Sequence, residues 1–173
     1  MNHSNLVQLI ENFAARSQSR ETFDLMKTFQ SLSADQFKRN EALKLLQEGI
    51  DIYQQTDDYS KAIGKIDLSL RLFPSASGYF NRGVINWCEH KYYECFKDQC
   101  ATLIFSADEY PLSYFYLAHS LYNVAGDTEK TSLKAEQIIL DFIIENLKEG
   151  QRRGDENAHK MIHHVIQHRD ELI

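Results

Sequence analysis

The chain has 173 residues, of which 43% are hydrophobic and 25% charged, close to the averages for globular domains. A chain of this length can bury a full hydrophobic core as one domain, without a disulfide or a metal ion to hold it together. The net charge of −6 and the lack of a dense Lys and Arg cluster argue against a nucleic-acid partner. With only 2 prolines and 7 glycines, the sequence favours long helices over strands.

The cysteines and the first thirty residues indicate the compartment. There are 3 cysteines, an odd number, which without an export signal predicts free thiols in a reducing compartment. The first thirty residues contain Glu11 and Asp24 and no apolar run of signal-peptide length. No apolar stretch reaches the about 18 residues that a membrane helix needs. We therefore expect a soluble, cytoplasmic protein with no membrane partner.

Two short amphipathic patterns open the chain and predict N-terminal helices within residues 1–41. The first pattern consists of Leu6, Leu9, Ile10 and Phe13, and the second of Phe23, Met26 and Phe29. Residues 33–36, with the sequence Ser-Ala-Asp-Gln, resemble a capping box and predict the start of the helix that leads into the next segment.

Two similar units follow at residues 42–75 and 76–110, with a period of about 33 to 34 residues. Each unit contains two successive segments with helical periodicity. The first unit reads Leu46-x2-Gly49-Ile50-x2-Tyr53, then Tyr59-x2-Ala62-Ile63-x2-Ile66, and ends at Pro74. The second unit reads Tyr79-x2-Arg82-Gly83-x2-Asn86-Trp87, then Tyr92-x2-Cys95-Phe96-x2-Gln99-x2-Thr102.

A third, degenerate unit occupies residues 111–149, and a final helix is predicted over 155–173. The third unit begins after Pro111 with Tyr114-x2-Leu117-Ala118-x2-Leu121-Tyr122. Its turn is long, and its second helix is expected from Leu133 to about Leu147. Residues 150–154 are expected to form a short basic linker. The final helix is predicted from an apolar stripe that consists of Ala158, Met161, Ile162, Val165, Ile166, Leu172 and Ile173.

These units resemble the tetratricopeptide repeat (TPR) family, whose signature is W-x2-L-G-x2-Y…A-x3-F…P. The resemblance implies an all-α single domain over residues 1–173, a right-handed superhelix of antiparallel helix pairs. It implies that Ala62, Gly83 and Cys95 make room where helices cross, and that Pro74 ends a unit. Gly49 stands one residue earlier than the family's glycine. Because a terminal repeat must cover its apolar side, we expect the N-terminal helices and the C-terminal helix to cap the two ends of the stack.

In this family the first helix of each unit lines a concave groove, which predicts a partner-binding site here. Its predicted lining is Phe80, Val84 and Trp87 from the second unit and Phe115, His119, Tyr122 and Asn123 from the third. The first unit would contribute the polar residues Lys44, Gln47, Asp51 and Gln54. Such a groove fits a protein or peptide segment with apolar anchors. The alternative that these aromatic residues belong to the core stays open, because aromatic stripes at helical spacing are usually buried.

Some family members bind acidic C-terminal tails with a carboxylate clamp, and the sequence argues against that specificity. Asn81 matches one clamp position. The other positions hold Gln47, Asp51, Leu112 and Tyr116, none of which can hold a carboxylate by charge.

The Cys and His residues do not predict a metal centre. Cys95 and Cys100 are five residues apart on one predicted helix, so they cannot face one ion together with Cys88 and His90. Two histidine pairs with i, i+4 spacing, His159 with His163 and His164 with His168, lie on opposite sides of the apolar stripe and are expected to be solvated.

No pairing of a nucleophile with a base and no glycine-rich phosphate loop is evident, so we expect neither a cofactor nor catalysis. The sequence therefore leads to three hypotheses, of which the first two are both protein-binding functions. The first is a non-catalytic adaptor that holds a partner segment in its groove, with a homodimer compatible with this function. The second is a cytoplasmic chaperone of a secreted protein, because the length, the acidity and the three-repeat layout are similar to those of type III translocator chaperones. The third, the weakest, is an enzyme or metal-binding protein that uses the Cys and His residues.

Overall fold

The computed structural model describes residues 3–18, 36–106, 109–127 and 132–172, and the regular structure in these ranges is entirely α-helical. This confirms the all-α prediction for the described part of the chain. The eight helices described are α1 (His3–Gln18), α2 (Gln36–Gln55), α3 (Tyr59–Leu72), α4 (Ala76–Cys88), α5 (Tyr92–Ser106), α6 (Leu112–Gly126), α7 (Leu133–Arg152) and α8 (Glu156–Asp170).

Side-chain caps and prolines determine where several of these helices begin. The Asp58 carboxylate accepts a hydrogen bond from the Lys61 backbone N–H at the start of α3. Ser75 and Ser132 act in the same way at the starts of α4 and α7, each satisfying a backbone donor that the first helical turn leaves free. Pro74 lies in the link between α3 and α4, where a helix cannot continue through it.

Each helix from α2 to α8 packs against the next one along the chain, and glycines lie at two of the crossings. A Cβ atom on Gly49 would lie 2.7 Å from Ile66 Cγ1, and one on Gly83 would lie 2.4 Å from Gln99 Nε2. The missing side chains therefore allow α2 to approach α3 and α4 to approach α5 closely. Any larger residue at these two positions would push the paired helices apart.

The helices also make contacts with helices two places away, and these contacts define two sides of the molecule. Helix α2 touches α4, α4 touches α6, and α6 touches α8. We call the surface formed by α2, α4, α6 and α8 the first-helix face. Helix α1 instead packs on α7 and, more lightly, on α5. We call the surface of α5 and α7 on which α1 packs the second-helix side.

The position of α1 corrects the expectation that the N-terminal helices cap the first unit. Leu6 and Ile10 of α1 are buried in a core shared with α5 to α8, and the Phe13 ring meets the Phe142 ring edge-on with 6.2 Å between their centroids. Apolar burial against the third unit thus determines where α1 lies. The second predicted N-terminal helix, with Phe23, Met26 and Phe29, and the side chains of the predicted capping box at residues 33–36 lie outside the described residues.

Two cores of different size hold the helices together. The main core joins α1 with α5, α6, α7 and α8 around fully buried side chains such as Phe96, Leu117 and Ile143. A smaller cluster joins α2, α3 and α4 and consists of Leu46, Ala62, Ile66, Leu70 and Ile85. Val165 and Ala158 of α8 are fully buried in the main core, as the apolar stripe predicted.

The predicted boundaries of two segments are wrong. Helix α7 continues from the predicted end at Leu147 to Arg152, so most of the predicted basic linker is helical. Gly150 is buried between Tyr114 and Ala158, where α8 begins to pack, and this contact extends the helix. The chain turns only at Gly154, whose φ of 89° lies in the left-handed region that favours glycine. Helix α2 begins at Gln36 and leads into the first unit, as predicted for the helix that follows residues 33–36.

Candidate partner-binding face

Four of the seven predicted groove residues come together on the first-helix face. The Trp87 ring of α4 lies 6.5 Å from the Phe115 ring and 5.4 Å from the His119 ring of α6, measured between centroids. Asn123 lies one turn further along α6 and contacts His119. All four side chains are half-buried, neither fully enclosed as in the core nor free in solvent. Tyr116, the neighbour of Phe115 in the chain, also contacts Trp87. We call the rings of Trp87, Phe115, Tyr116 and His119 the aromatic cluster.

A hydrogen bond between two helices orders this cluster. The Trp87 indole Nε1–H donates to His119 Nδ1 at 2.9 Å. The Asn123 amide nitrogen lies 3.1 Å from the same Nδ1 and donates to the His119 carbonyl oxygen at 2.8 Å. Because an indole nitrogen can only donate, His119 Nδ1 must be the acceptor and its proton must be on Nε2. Burial also lowers the pKa of His119 below its usual value, which favours the neutral ring.

Tyr116 is the member of the cluster that the sequence did not assign to the groove. Its ring centroid lies 5.4 Å from both Trp87 and Phe115 and 6.2 Å from Phe80, so it connects Phe80 to the cluster. From the sequence, Tyr116 was predicted only to lack the charge that a carboxylate clamp needs at its position. Its position could have indicated this role, because successive residues of a helix point about 100° apart. Tyr116 follows Phe115 and therefore points from the predicted stripe toward α4.

The remaining predicted groove residues lie away from the centre of the cluster. Phe80 packs against Tyr110, with 5.0 Å between ring centroids, and Val84 is half-buried on α4. The polar residues predicted for the first unit are at the surface of α2, where the Gln47 amide donates to Asp51 Oδ1 at 2.8 Å. The face therefore changes from polar on α2 to aromatic on α4 and α6.

Tyr122 faces a different neighbour, the C-terminal helix α8. Its hydroxyl lies 3.2 Å from His164 Nε2 and 3.1 Å from His168 Nδ1. His164 remains exposed, in line with the predicted solvated pair, whereas His168 is partly buried and lies 3.9 Å from a Glu136 carboxylate oxygen. A cleft of about 180 Å³ lies beside this group and is lined by Tyr122, Ala125, Gly126, Glu136, Ile139, Leu140 and His168.

Polar side chains thus connect every pair of neighbouring helices on the first-helix face. Between α2 and α4 the contact is Tyr53 hydroxyl to Cys88 Sγ at 3.5 Å. This hydrogen bond and burial raise the pKa of Tyr53 to about 12, so its hydroxyl stays protonated. Between α4 and α6 the contact is Trp87 to His119, and between α6 and α8 it is Tyr122 to the two histidines.

A charged network beneath this face was not predicted. Arg82 of α4 donates two hydrogen bonds to Asp98 of α5, at 3.0 and 2.6 Å, and one to Asp67 of α3 at 2.6 Å. Asn86 donates to the same Asp98 carboxylate at 3.1 Å. Burial raises the pKa of Asp98, and the bonds from Arg82 oppose that shift by stabilising the carboxylate. The network joins three consecutive helices and fills a structural role.

Two of the cysteines are buried thiols. Burial raises the pKa of the Cys95 thiol to about 12, and it also raises the pKa of Cys100, so both thiols stay protonated. In the part of the chain that the structure describes, no group of three or more His, Cys, Asp or Glu side chains could hold a metal ion. None of the described helices is long and apolar enough to cross a membrane.

Comparison with protein-family models, with curated proteins and with solved structures finds no match for this chain. Its function must therefore be argued from its own residues.

Proposed function

We propose that this protein is a non-catalytic adaptor that holds a segment of a partner protein on its first-helix face, and that its helix pairs stack as a TPR-like right-handed superhelix. Two features support the superhelix. Glycines lie at the crossings within the first two helix pairs, at Gly49 and Gly83, and the first helices contact one another from α2 to α8. Contacts between first helices are what a stack of repeated helix pairs requires.

The aromatic cluster is the observation that carries the binding proposal. Trp87, Phe115 and Tyr116 are half-buried, whereas the fully buried residues of the main core are mostly aliphatic. Large aromatic side chains that keep part of their surface accessible are the residues that most often dominate protein–protein binding energy. The described N-terminal helix, α1, packs mainly on α7 and α5, on the second-helix side.

The chemistry of the face indicates the kind of segment that would bind. Its centre offers ring surfaces and the His119 Nε2–H, and its α2 end offers amide and carboxylate groups. A segment with one or two large apolar anchors and a polar continuation would match this order. No cofactor enters this proposal, and a second copy of the chain could itself supply the segment.

The test is affinity capture from the native cells with matched surface variants. Phe115→Ala on the first-helix face should remove the bound partner from the captured material, because it removes a ring from the cluster. Ile138→Ala on α7, where the side chain is 37% exposed, should leave capture unchanged. Equal capture by both variants would refute the assignment of the face. If the captured protein is a secreted one that is degraded when this chain is absent, the chaperone hypothesis gains over the adaptor.

A further inference from the structure

His119 accepts hydrogen bonds at a nitrogen that cannot keep its partners once the ring is charged. Its Nδ1 faces two donors, the Trp87 indole N–H at 2.9 Å and the Asn123 amide nitrogen at 3.1 Å. A protonated imidazole carries a hydrogen on both nitrogens and has no acceptor left. Protonation of His119 would therefore place an N–H on Nδ1, where it would face the two N–H donors of Trp87 and Asn123.

We propose that the Trp87–His119 hydrogen bond is a pH-sensitive contact, in which neutral His119 fixes Trp87 against α6 and protonated His119 releases it. The contact needs no ligand and is built into the fold. If the first-helix face binds a partner as proposed above, release of Trp87 would also make that binding depend on pH. This consequence for binding rests on the proposed function, whereas the contact itself does not.

Burial and ring packing determine the direction of the pH dependence. Desolvation lowers the pKa of the half-buried His119 ring. His119 is therefore neutral at pH 7 and becomes charged at a pH below the usual histidine pKa of about 6.5. The rings of Trp87, Tyr92 and Phe115 lie 5.4 to 5.8 Å away and would partly stabilise a cation. Loss of the indole bond and of hydration opposes that stabilisation, and burial lowers the pKa of His119.

Burial is the cause of the lowered His119 pKa, and among the described residues no carboxylate contributes to that shift. Titratable side chains close to the aromatic cluster include Cys88 at the end of α4, His90 in the turn after α4, Tyr92 of α5, and Tyr116 and Tyr122 of α6. On α8, His164 and His168 lie against the Tyr122 hydroxyl. Helix α7 packs on the opposite side of α6, beyond the buried Leu117 and Leu121. The histidines among these groups are the ones that a pH titration must separate from His119.

Trp87 is the only tryptophan in the chain, so tryptophan fluorescence reports on the surroundings of this one side chain. We expect the emission and the acrylamide quenching of Trp87 to change in one transition as the pH falls from about 8 to about 5, with a midpoint below about 6.5. Quenching should increase in the acidic form, while the helical circular dichroism signal stays constant. His119→Asn should abolish the transition, because its Oδ1 still accepts from the indole but does not titrate.

His90→Gln and His164→Gln are the matched controls, and each should retain the transition. A transition that survives in His119→Asn, or a wild-type protein whose Trp87 signal stays flat over this range, would overturn the proposal. Should His119→Asn fail to fold, the wild-type protein still decides by NMR: the Trp87 indole N–H resonance must move with the same midpoint as the His119 ring. All these measurements are made without a partner, so a negative result here leaves the proposed function to its own capture test.

Discussion

The two sides of the molecule are held by different kinds of contact. On the second-helix side, α1 lies on α7 and α5 through apolar side chains such as Leu6 and Ile10, which are almost fully buried. On the first-helix face, hydrogen bonds between half-buried side chains, such as Trp87 to His119, add to the apolar contacts that the same helices make in the two cores. Burial of apolar area is strong and lacks direction, whereas these hydrogen bonds are weaker and need a defined geometry.

Under the proposed function, the core side provides stability and the first-helix face provides recognition. A fully buried aliphatic core contributes to unfolding free energy but offers nothing to a partner. A half-buried aromatic cluster contributes less to folding, and its remaining accessible surface can be buried by a second protein.

Removing a large side chain from the core should cause the largest loss of stability. Phe96 is 1% exposed and packs in the main core. Phe96→Ala should lower the free energy of unfolding by about 3–5 kcal/mol, because it leaves a cavity as well as removing buried area. Urea unfolding followed by circular dichroism measures this. Val84→Ala on the first-helix face should cost about 1 kcal/mol or less, and equal losses for the two variants would contradict the comparison.

Removing Arg82 should cause the next largest loss, because it leaves a buried carboxylate without its main partner. The Asp98 side chain is 6% exposed and receives two hydrogen bonds from Arg82. Arg82→Gln should lower the free energy of unfolding by about 3 kcal/mol. Lys97→Gln on α5, the helix that carries Asp98, breaks an exposed pair with Glu94 and should cost about 0.5 kcal/mol or less. Equal losses of unfolding free energy for the two variants would show that Arg82 stabilises the fold no more than an exposed ion pair does.

Replacing Trp87 should separate recognition from stability. Trp87→Ala should weaken partner binding by about 2 kcal/mol or more, as expected for an aromatic anchor. Its cost in unfolding free energy should stay below the about 3–5 kcal/mol typical of a core tryptophan, because the ring is half-buried. Titration calorimetry with the captured partner and urea unfolding give the two numbers. A variant that loses that full amount of stability and binds normally would place Trp87 in the core.

The sequence predicted the helices better than their long-range contacts. Helix periodicity and local signals depend on residues a few positions apart, which is why the break at Pro74 and the final helix from residue 155 could be predicted. The position of α1 depends on contacts with residues more than a hundred positions away, such as His3 Nε2 with the Ala125 carbonyl oxygen at 2.9 Å. No local pattern contains that information.

The candidate site was predictable to a similar degree. Trp87, Phe115 and His119 were found together because all three lie on stripes with helical spacing. Tyr122 lies on the same stripe of α6, but its hydroxyl meets α8, and only the packing of α8 shows this. The roles of Tyr116 and Arg82 were missed for the same reason, because each depends on which neighbouring helix its side chain meets.

The most direct test of the account is a map of the partner's position by site-specific photocrosslinking in the native cells. A photoreactive phenylalanine analogue is placed at Val84 or Gln54 on the first-helix face, and at Ile138 on α7 as the matched control. The account predicts one dominant adduct with the same protein from Val84 and Gln54, none from Ile138, and loss of the adduct when Phe115→Ala is added. Adducts formed chiefly from Ile138, or equally from all three positions, would contradict the assignment of the first-helix face.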